Sequence, residues 1–460
     1  MASSAQDVLR RLGEDGIERI DLKVSDLQGR WHSFGLEAHQ FGEGAFQQGL
    51  GLDSLGRESL SLNSLARGLV LHPDPGTAWI DPYLSPRSLS LIASFEAPAA
   101  AGAPAAAGAP AAAGAPAAAD ANLRHCPRSL AGRALALLAG SGLADAARFG
   151  VTQDFFLFSD LTWHGDAQGY GCRVVHGTEA PEALCSELLL TLAALGLRAR
   201  LGQPAPMGSL QQLTLGSADP LRAADALMVS RYVLRHVARR HGCSATVLPR
   251  PTLEPISAGL AVHQSLWRTG QPLFCGEGTY GDLSQTARWY LGGLLHHGPS
   301  LAAFTNPGVN SYRRLRSGPE APTRLTYARN DPSTVVAVPD SGSDPDKRRL
   351  VVRQADGLAN PYLALAAMLL AGLDGVRRQS DPGSASDLEA AAGSAPPRGA
   401  SLPTDLGGSL AALAADHDYL LAGGVFSQEL LEDWISLKRR ELEELEHRPH
   451  PLEFASDPIA

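Results

Sequence analysis

The sequence is short of positive charge. Its 39 lysines and arginines are outnumbered by 48 aspartates and glutamates, a formal net charge of −9. No stretch is basic enough to track a phosphate backbone, so nucleic acid is not an expected partner. Long apolar runs are missing too: the candidate stretch from Leu188 to Leu197 contains Thr191 and Gly196 and falls well short of the ~20 residues that cross a bilayer. No membrane partner is expected. Met1 to Glu14 lacks the apolar core and small-residue cleavage site of a secretory signal, and the expected location is the cytoplasm. The five cysteines, Cys126, Cys172, Cys185, Cys243 and Cys275, show no paired zinc-ligand spacing and read as reduced thiols.

What is present is ample core material. Of 460 residues, 44% are hydrophobic and 19% charged, enough for two folding units. Between them Ala97 to Ala119 repeats Ala-Ala-Ala-Gly-Ala-Pro without a charge or a bulky side chain. A proline in every period removes a helix donor, which predicts an extended, flexible and dispensable insert. Before it, Ile20, Leu22 and Val24, a Leu27-Gln28-Gly29 turn, then Trp31 and Phe34 predict a hairpin. Leu69 to Leu71 and Leu89 to Ile92 are further strand candidates.

Beyond the insert, strands alternate with helices. Asp219-Pro220 places a capping oxygen before a proline and opens a helix that Gly242 closes. Its arginines Arg231, Arg235, Arg239 and Arg240 are expected on a solvated face. Asn360-Pro361 opens a helix apolar nearly all round, which belongs in the core. A last helix begins near Ser427 and carries Leu430, Trp434, Leu437 and Leu445 among many charges. Its place is the surface or a subunit contact.

Several stretches are too specific for composition to explain. They are Pro249-Arg250-Pro251, Val262 to Trp267, Phe304-Thr305-Asn306-Pro307, Asn310 to Leu315 running into Gly318-Pro319-Glu320, and Ala359 to Leu363 running into Ala371 to Gly375. With them the chain resembles the glutamine synthetase family, whose members activate glutamate with ATP and magnesium or manganese before ammonia displaces the phosphate. The resemblance implies an α+β fold: a β-grasp N-terminal domain over 15–96, the Ala/Gly/Pro insert over 97–120, and a catalytic domain over 121–460 whose curved antiparallel sheet with flanking helices forms a funnel. It also implies assembly into rings.

The family holds its hard metal ions with carboxylates and one histidine. Those positions here read Thr152, Asp154, Gln203, Gln211 or its neighbour Gln212, Ala261 and Val351. Asp154 is the lone remnant. Arginines on the phosphate side read as Asp331 or Pro332 and as Ala337. Retained positions imply Arg314 and Arg353 as glutamate ligands, His263 and Ser265 on the nucleotide side, and Glu320 as a catalytic flap carboxylate. The blander readings are ion pairing for the arginines and a sheet hydrogen bond for His263. Neutral side chains cannot neutralise a triphosphate, so the expected protein is a pseudoenzyme without a cofactor, acting as a scaffold, as a partner of an active paralogue or as a binder of a small molecule such as an amino acid. The alternative is an ATP-dependent carboxylate–amine (γ-glutamyl) ligase with altered chemistry in a biosynthetic or nitrogen pathway, using magnesium or manganese.

Overall fold

The computed structural model describes residues 4–52, 69–96, 125–166, 169–175, 181–202, 209–252, 256–277, 279–318, 321–329, 331–342, 344–387 and 400–448. The Ala/Gly/Pro insert, Gln203 and Glu320 lie outside them. The expected hairpin forms from β1 (Arg19–Ser25) and β2 (Trp31–Glu37), paired antiparallel from Arg19↔Glu37 to Ser25↔Trp31. Three more strands, β3 (Leu50–Leu52), β4 (Leu69–Pro73) and β6 (Ser88–Glu96), extend the sheet in the order β2-β1-β6-β4-β3, with β5 (Trp79–Asp81) also on β6. β1 runs parallel to β6. Buried Ile20, Leu22, Val24, Leu89 and Leu91 supply its core.

A larger sheet follows. Its spine is β7 (Ala146–Phe158), and its order is β10 (Ala199–Leu201), β11 (Leu210–Ala218), β7, β13 (Leu260–Arg268), β17 (Leu350–Val352), β16 (Thr334–Ala337), β15 (Arg324–Ala328). Short strands β12 (Ser244–Thr246) and β14 (Gln271–Pro272) pair with β7 and β13, and β8 (Asp160–Asp166) pairs only with β9 (Gly169–Val175). Every pair in this sheet is antiparallel except β15 with β16.

The helix Pro220–Arg240 starts where expected, the Asp219 carboxylate accepting from Arg222 N–H, and packs on β7 and β11. One expectation for it needs correction. Arg235, Arg239 and Arg240 are exposed, but Arg231 is half-buried and donates to Gln153 Oε1 at 2.9 Å and to the Ala359 carbonyl at 3.4 Å. Gln153 points from β7 into the layer between sheet and helix, so the guanidinium above it is enclosed. Burial pushes the Arg231 pKa down to about 10. The helix Pro361–Arg378 is buried from Pro361 through Gly372, touching the helices Pro127–Gly140, Pro220–Arg240 and Gln285–His296. Ser427 caps the last helix, Gln428–Glu446, which buries Leu430 and Trp434 and leaves Leu445 55% exposed.

Polar joints lock the two sheets together. Asn360 Nδ2 donates to the carbonyls of Asp26 and Leu27 at 2.9 and 3.1 Å, gripping the β1–β2 turn. Gly29 in that turn has φ +80°, and a Cβ there would lie 3.0 Å from Asn360 Cα. Tyr232 donates to both Asp81 oxygens. Arg128, buried, reaches Asp74 at 2.6 Å and Asp225 at 2.8 Å, and Tyr362 also donates to Asp225. Without Arg128, Asp225 keeps Tyr362 and the partly exposed Arg222, 3.2 Å away, and loses its most buried counter-charge. Arg128→Ala is therefore expected to lower unfolding free energy by roughly 3–5 kcal/mol, measured by denaturant titration. A loss below about 1 kcal/mol would show that Arg222 alone compensates both carboxylates.

Candidate active site

Strand register decides which side chains meet. In β7, Asp154 lies opposite Gln212 and Thr152 opposite Thr214 of β11. On the other side Thr152 lies opposite Ala261, and Gly150 opposite His263, which in turn lies opposite Val351 of β17. Arg200 of β10 faces Thr214. Directly opposed residues share a face and alternate residues repeat it. Thr152, Asp154, Gln212, Thr214, Arg200, Ala261, His263 and Val351 therefore form one surface, with Arg349 and Arg353 two residues either side of Val351. The other surface, with Val151, Leu213, Leu260, Val262 and Leu350, is the core.

This register corrects one assignment. Gln211 lies opposite Phe155 and is buried at 3% exposure, so it turns away from the site. Gln212 occupies the position instead. The choice between two adjacent glutamines rested on the spacing of 203–208, which no hydrophobic pattern constrains; a shift of one residue exchanges the faces.

Asp154 is committed to the protein itself. Its Oδ1 accepts from Gln212 Nε2 at 2.9 Å and its Oδ2 from the Gly259 amide at 2.9 Å. Burial raises its pKa, against the pull of those hydrogen bonds and the charge of Arg314. Gly259 is required for the approach: a Cβ there would sit 2.7 Å from Arg314 Nη2. Arg314 donates to the carbonyls of Gln354 and Arg353 at 2.8 and 3.0 Å. Burial lowers its pKa while the charges of Asp356 and Asp154 oppose that. Arg353 donates to the carbonyls of Asp331 and Pro332, so it and Arg314 lie close together but already hold backbone.

His263 sits in a ladder that runs across the sheet. Arg349 Nε donates to its Nδ1 at 3.1 Å. The ring proton is therefore on Nε2, which faces Thr152 Oγ1 at 3.3 Å, and Thr152 Oγ1 faces Thr214 Oγ1 at 3.1 Å. Burial, then the charges of Arg349 and Arg200, push the His263 pKa from 6.5 down to about 4. An unfolded chain takes up that proton between about pH 6.5 and 4 and the folded chain does not, so acidification through this window removes stability, by up to about 3 kcal/mol. His263→Gln is expected to flatten the stability profile between pH 6.5 and 4 in denaturant titrations. An unchanged slope would mean the imidazole protonates normally in the fold.

Ser265, two residues along β13, is buried, and its hydroxyl accepts from Trp267 Nε1 at 2.9 Å. The Thr305-Asn306 motif is a brace: Asn306 Nδ2 donates to the Gln354 carbonyl and to Asp356, holding the segment that follows Arg353. Arg250 and Asn310 exchange hydrogen bonds at 2.7 and 2.9 Å. Sequence reasoning did not mark Arg200, Arg349 or Asp356 as part of this site. For Arg349 the signal was available in strand parity, since it lies two residues from Val351; Arg200 lies three residues from Gln203, the nearest marked position, and no such signal pointed to it.

A model of the glutamine synthetase catalytic domain matches residues 124–456. The chain belongs to the glutamine synthetase family. Its similarity to curated glutamine synthetases runs nearly end to end: 33% identity to that of Nostoc sp., covering 98% of this chain and 99% of the relative, and 34% to that of Frankia alni, covering 99% of each. The fold is matched by the glutamine synthetase of Plasmodium falciparum, with a TM-score of 0.85 over 99% of this chain and 98% of that one at 17% identity. A ligand-free structure of GmaS matches with a TM-score of 0.79 at 26% identity, covering 98% of this chain and 99% of that one. The α+β architecture, with its β-grasp N-terminal part and curved catalytic sheet, is thus that of glutamine synthetases.

The described residues do not fit the magnesium or manganese normally used with ATP in this family. Hard divalent cations need several anionic oxygen ligands. Here one carboxylate, whose oxygens both already accept hydrogen bonds, shares its face with two threonines, a glutamine, an alanine, a valine, Arg200 and His263, and both ring nitrogens of His263 are engaged by Thr152 and Arg349. Among the described residues no group of three His, Cys, Asp or Glu side chains comes together as a metal site.

Proposed function

We propose that this member of the glutamine synthetase family acts by binding rather than by metal-dependent phosphoryl transfer, as a ring-forming pseudoenzyme that retains a small-molecule site. The observation that carries this reading is the shared face of Thr152, Asp154, Gln212, Ala261 and Val351, where among the described residues the only carboxylate is held by Gln212 and Gly259. Moving a phosphoryl group between two anions needs cationic charge at the transferring oxygens. A single engaged aspartate would anchor no ion to supply it.

Calorimetric titration of the metal-free protein with Mn²⁺ tests the proposal. No stoichiometric site is expected. A stoichiometric Mn²⁺ site that disappears in Asp154→Ala would overturn the reading and favour an amine ligase with altered chemistry, in which Arg314, Arg353 and Glu320 would serve the acid substrate.

A further inference from the structure

Away from the metal positions, a cleft of about 960 Å³ opens where the two sheets meet. One wall is the N-terminal sheet from Gly76 to Ile80, with Ile92 of β6. The other is the helix Glu182–Ala194 with the β10–β11 edge, and the helix Pro220–Arg240 closes the third side with Ala226 and Val229. Its volume falls within the ~300–1,000 Å³ that holds drug-sized ligands, and joints between domains are where such pockets recur. Ile80, Ile92, Leu195, Leu197, Leu215 and Val229 give it an aliphatic lining.

The charged groups at this cleft are unequal. Asp225 is already neutralised: Arg128 and Arg222 pair with it at 2.8 and 3.2 Å, and Tyr362 donates to it. Arg222 is shared between that carboxylate and Asp74 at 3.0 Å, and Arg11 pairs with Asp15 at 3.3 Å. Arg198 differs. It is exposed, and among the described residues it has no carboxylate within ion-pair distance. Its Nε lies 3.4 Å from where a Cβ on Gly216 would stand, so its arm runs along the β11 wall. A second donor is also unspent. Trp79, on the opposite wall, is 7% exposed and stacks on Trp31 with ring centres 6.2 Å apart, and its indole N–H has no acceptor. A buried donor without a partner has already lost its water, so an incoming oxygen that reaches it gains a hydrogen bond without displacing one.

An entering molecule thus meets aliphatic walls, two donors without acceptors and a carboxylate that is already paired. The complement is an acid on an apolar body. We infer that the cleft binds an amphipathic monocarboxylate, its acid oxygens toward the donors and its aliphatic body against Leu195, Leu197, Leu215 and Val229. One unpaired guanidinium matches one carboxylate. Leu215 follows Gln212 and Thr214 on β11, so the occupant leans on the strand whose other surface holds Asp154. The inference goes beyond the reading above, and none of its residues is a metal position.

Octanoate titrated calorimetrically into the full chain in EDTA is the test, with acetate and 1-octanol carrying its head and its tail separately. Saturable binding of one octanoate per chain is expected, at least tenfold tighter than either control. Arg198→Ala, at an exposed position, is expected to weaken octanoate at least tenfold and to leave octanol unchanged. Ala226→Phe, which fills the cleft, is expected to abolish both, and Trp79→Phe to remove the change in tryptophan emission that octanoate causes. Octanol bound as tightly as octanoate, or octanoate affinity unchanged in Arg198→Ala, would overturn the site. Uptake that rises with concentration without saturating would mark adventitious partition onto apolar surface only, and would overturn it as well. Each of these outcomes is independent of the Mn²⁺ titration, so the reading of the metal face stands or falls separately.

Discussion

Supplied with ATP, glutamate, ammonia or a small amine and either magnesium or manganese, the purified protein is expected to form glutamine or a γ-glutamyl amide no faster than the background rate. Each preorganised charge at a transferring phosphoryl group is worth several kcal/mol of barrier, and each 1.36 kcal/mol is about tenfold in rate. With Thr152, Gln212, Ala261 and Val351 at the metal face, the combined deficit reaches many orders of magnitude. A coupled phosphate-release assay with direct detection of the amide measures it. Turnover that Asp154→Ala abolishes would refute the prediction, because it would assign metal binding to a carboxylate that Gln212 and Gly259 hold in the fold.

The second large effect is in mass. Light scattering at micromolar concentration in chelator is expected to give a multiple of 48.3 kDa, in keeping with the ring assembly implied by the family resemblance. The resemblance also implies that the N-terminal domain of one subunit completes the site of its neighbour, so that assembly and catalysis share a surface without depending on the same side chains. The neutral residues Thr152, Gln212, Ala261 and Val351 share one sheet face, away from the joints around Asn360, Asp81 and Arg128. Leu190, 72% exposed, and Leu445, 55% exposed, leave apolar surface for subunit contacts. Fewer carboxylates on the site face also remove mutual repulsion when no ion is bound. A monomer mass would reject the ring.

Both expectations follow from substitutions that leave the frame alone. At 33–34% identity over almost the whole length, the family's packing and turns persist, and several of its recognisable motifs are joints. Asn306 braces the segment after Arg353, Asn310 exchanges bonds with Arg250, and Asn360 caps a helix while holding the β1–β2 turn. Their retention therefore reports on folding.

The sequence alone determined the elements whose signals are local. The Asp219, Asn360 and Ser427 caps, the β1–β2 hairpin and the buried helix after Pro361 follow from capping oxygens, proline at the first turn and apolar periodicity, each contained within a few consecutive residues. Under the family resemblance Thr152, Ala261 and Val351 stand where metal ligands are expected, and the strand register puts the three on one face. Only tertiary structure decided between Gln211 and Gln212, since a one-residue step inverts the face of a strand and the segment before it carries no pattern to count from. Only tertiary structure showed Arg231 reaching into the layer above Gln153, and Asp154 engaged by residues 58 and 105 positions away. Whether a charge is free to bind depends on the distant groups folded against it, and no local period records them.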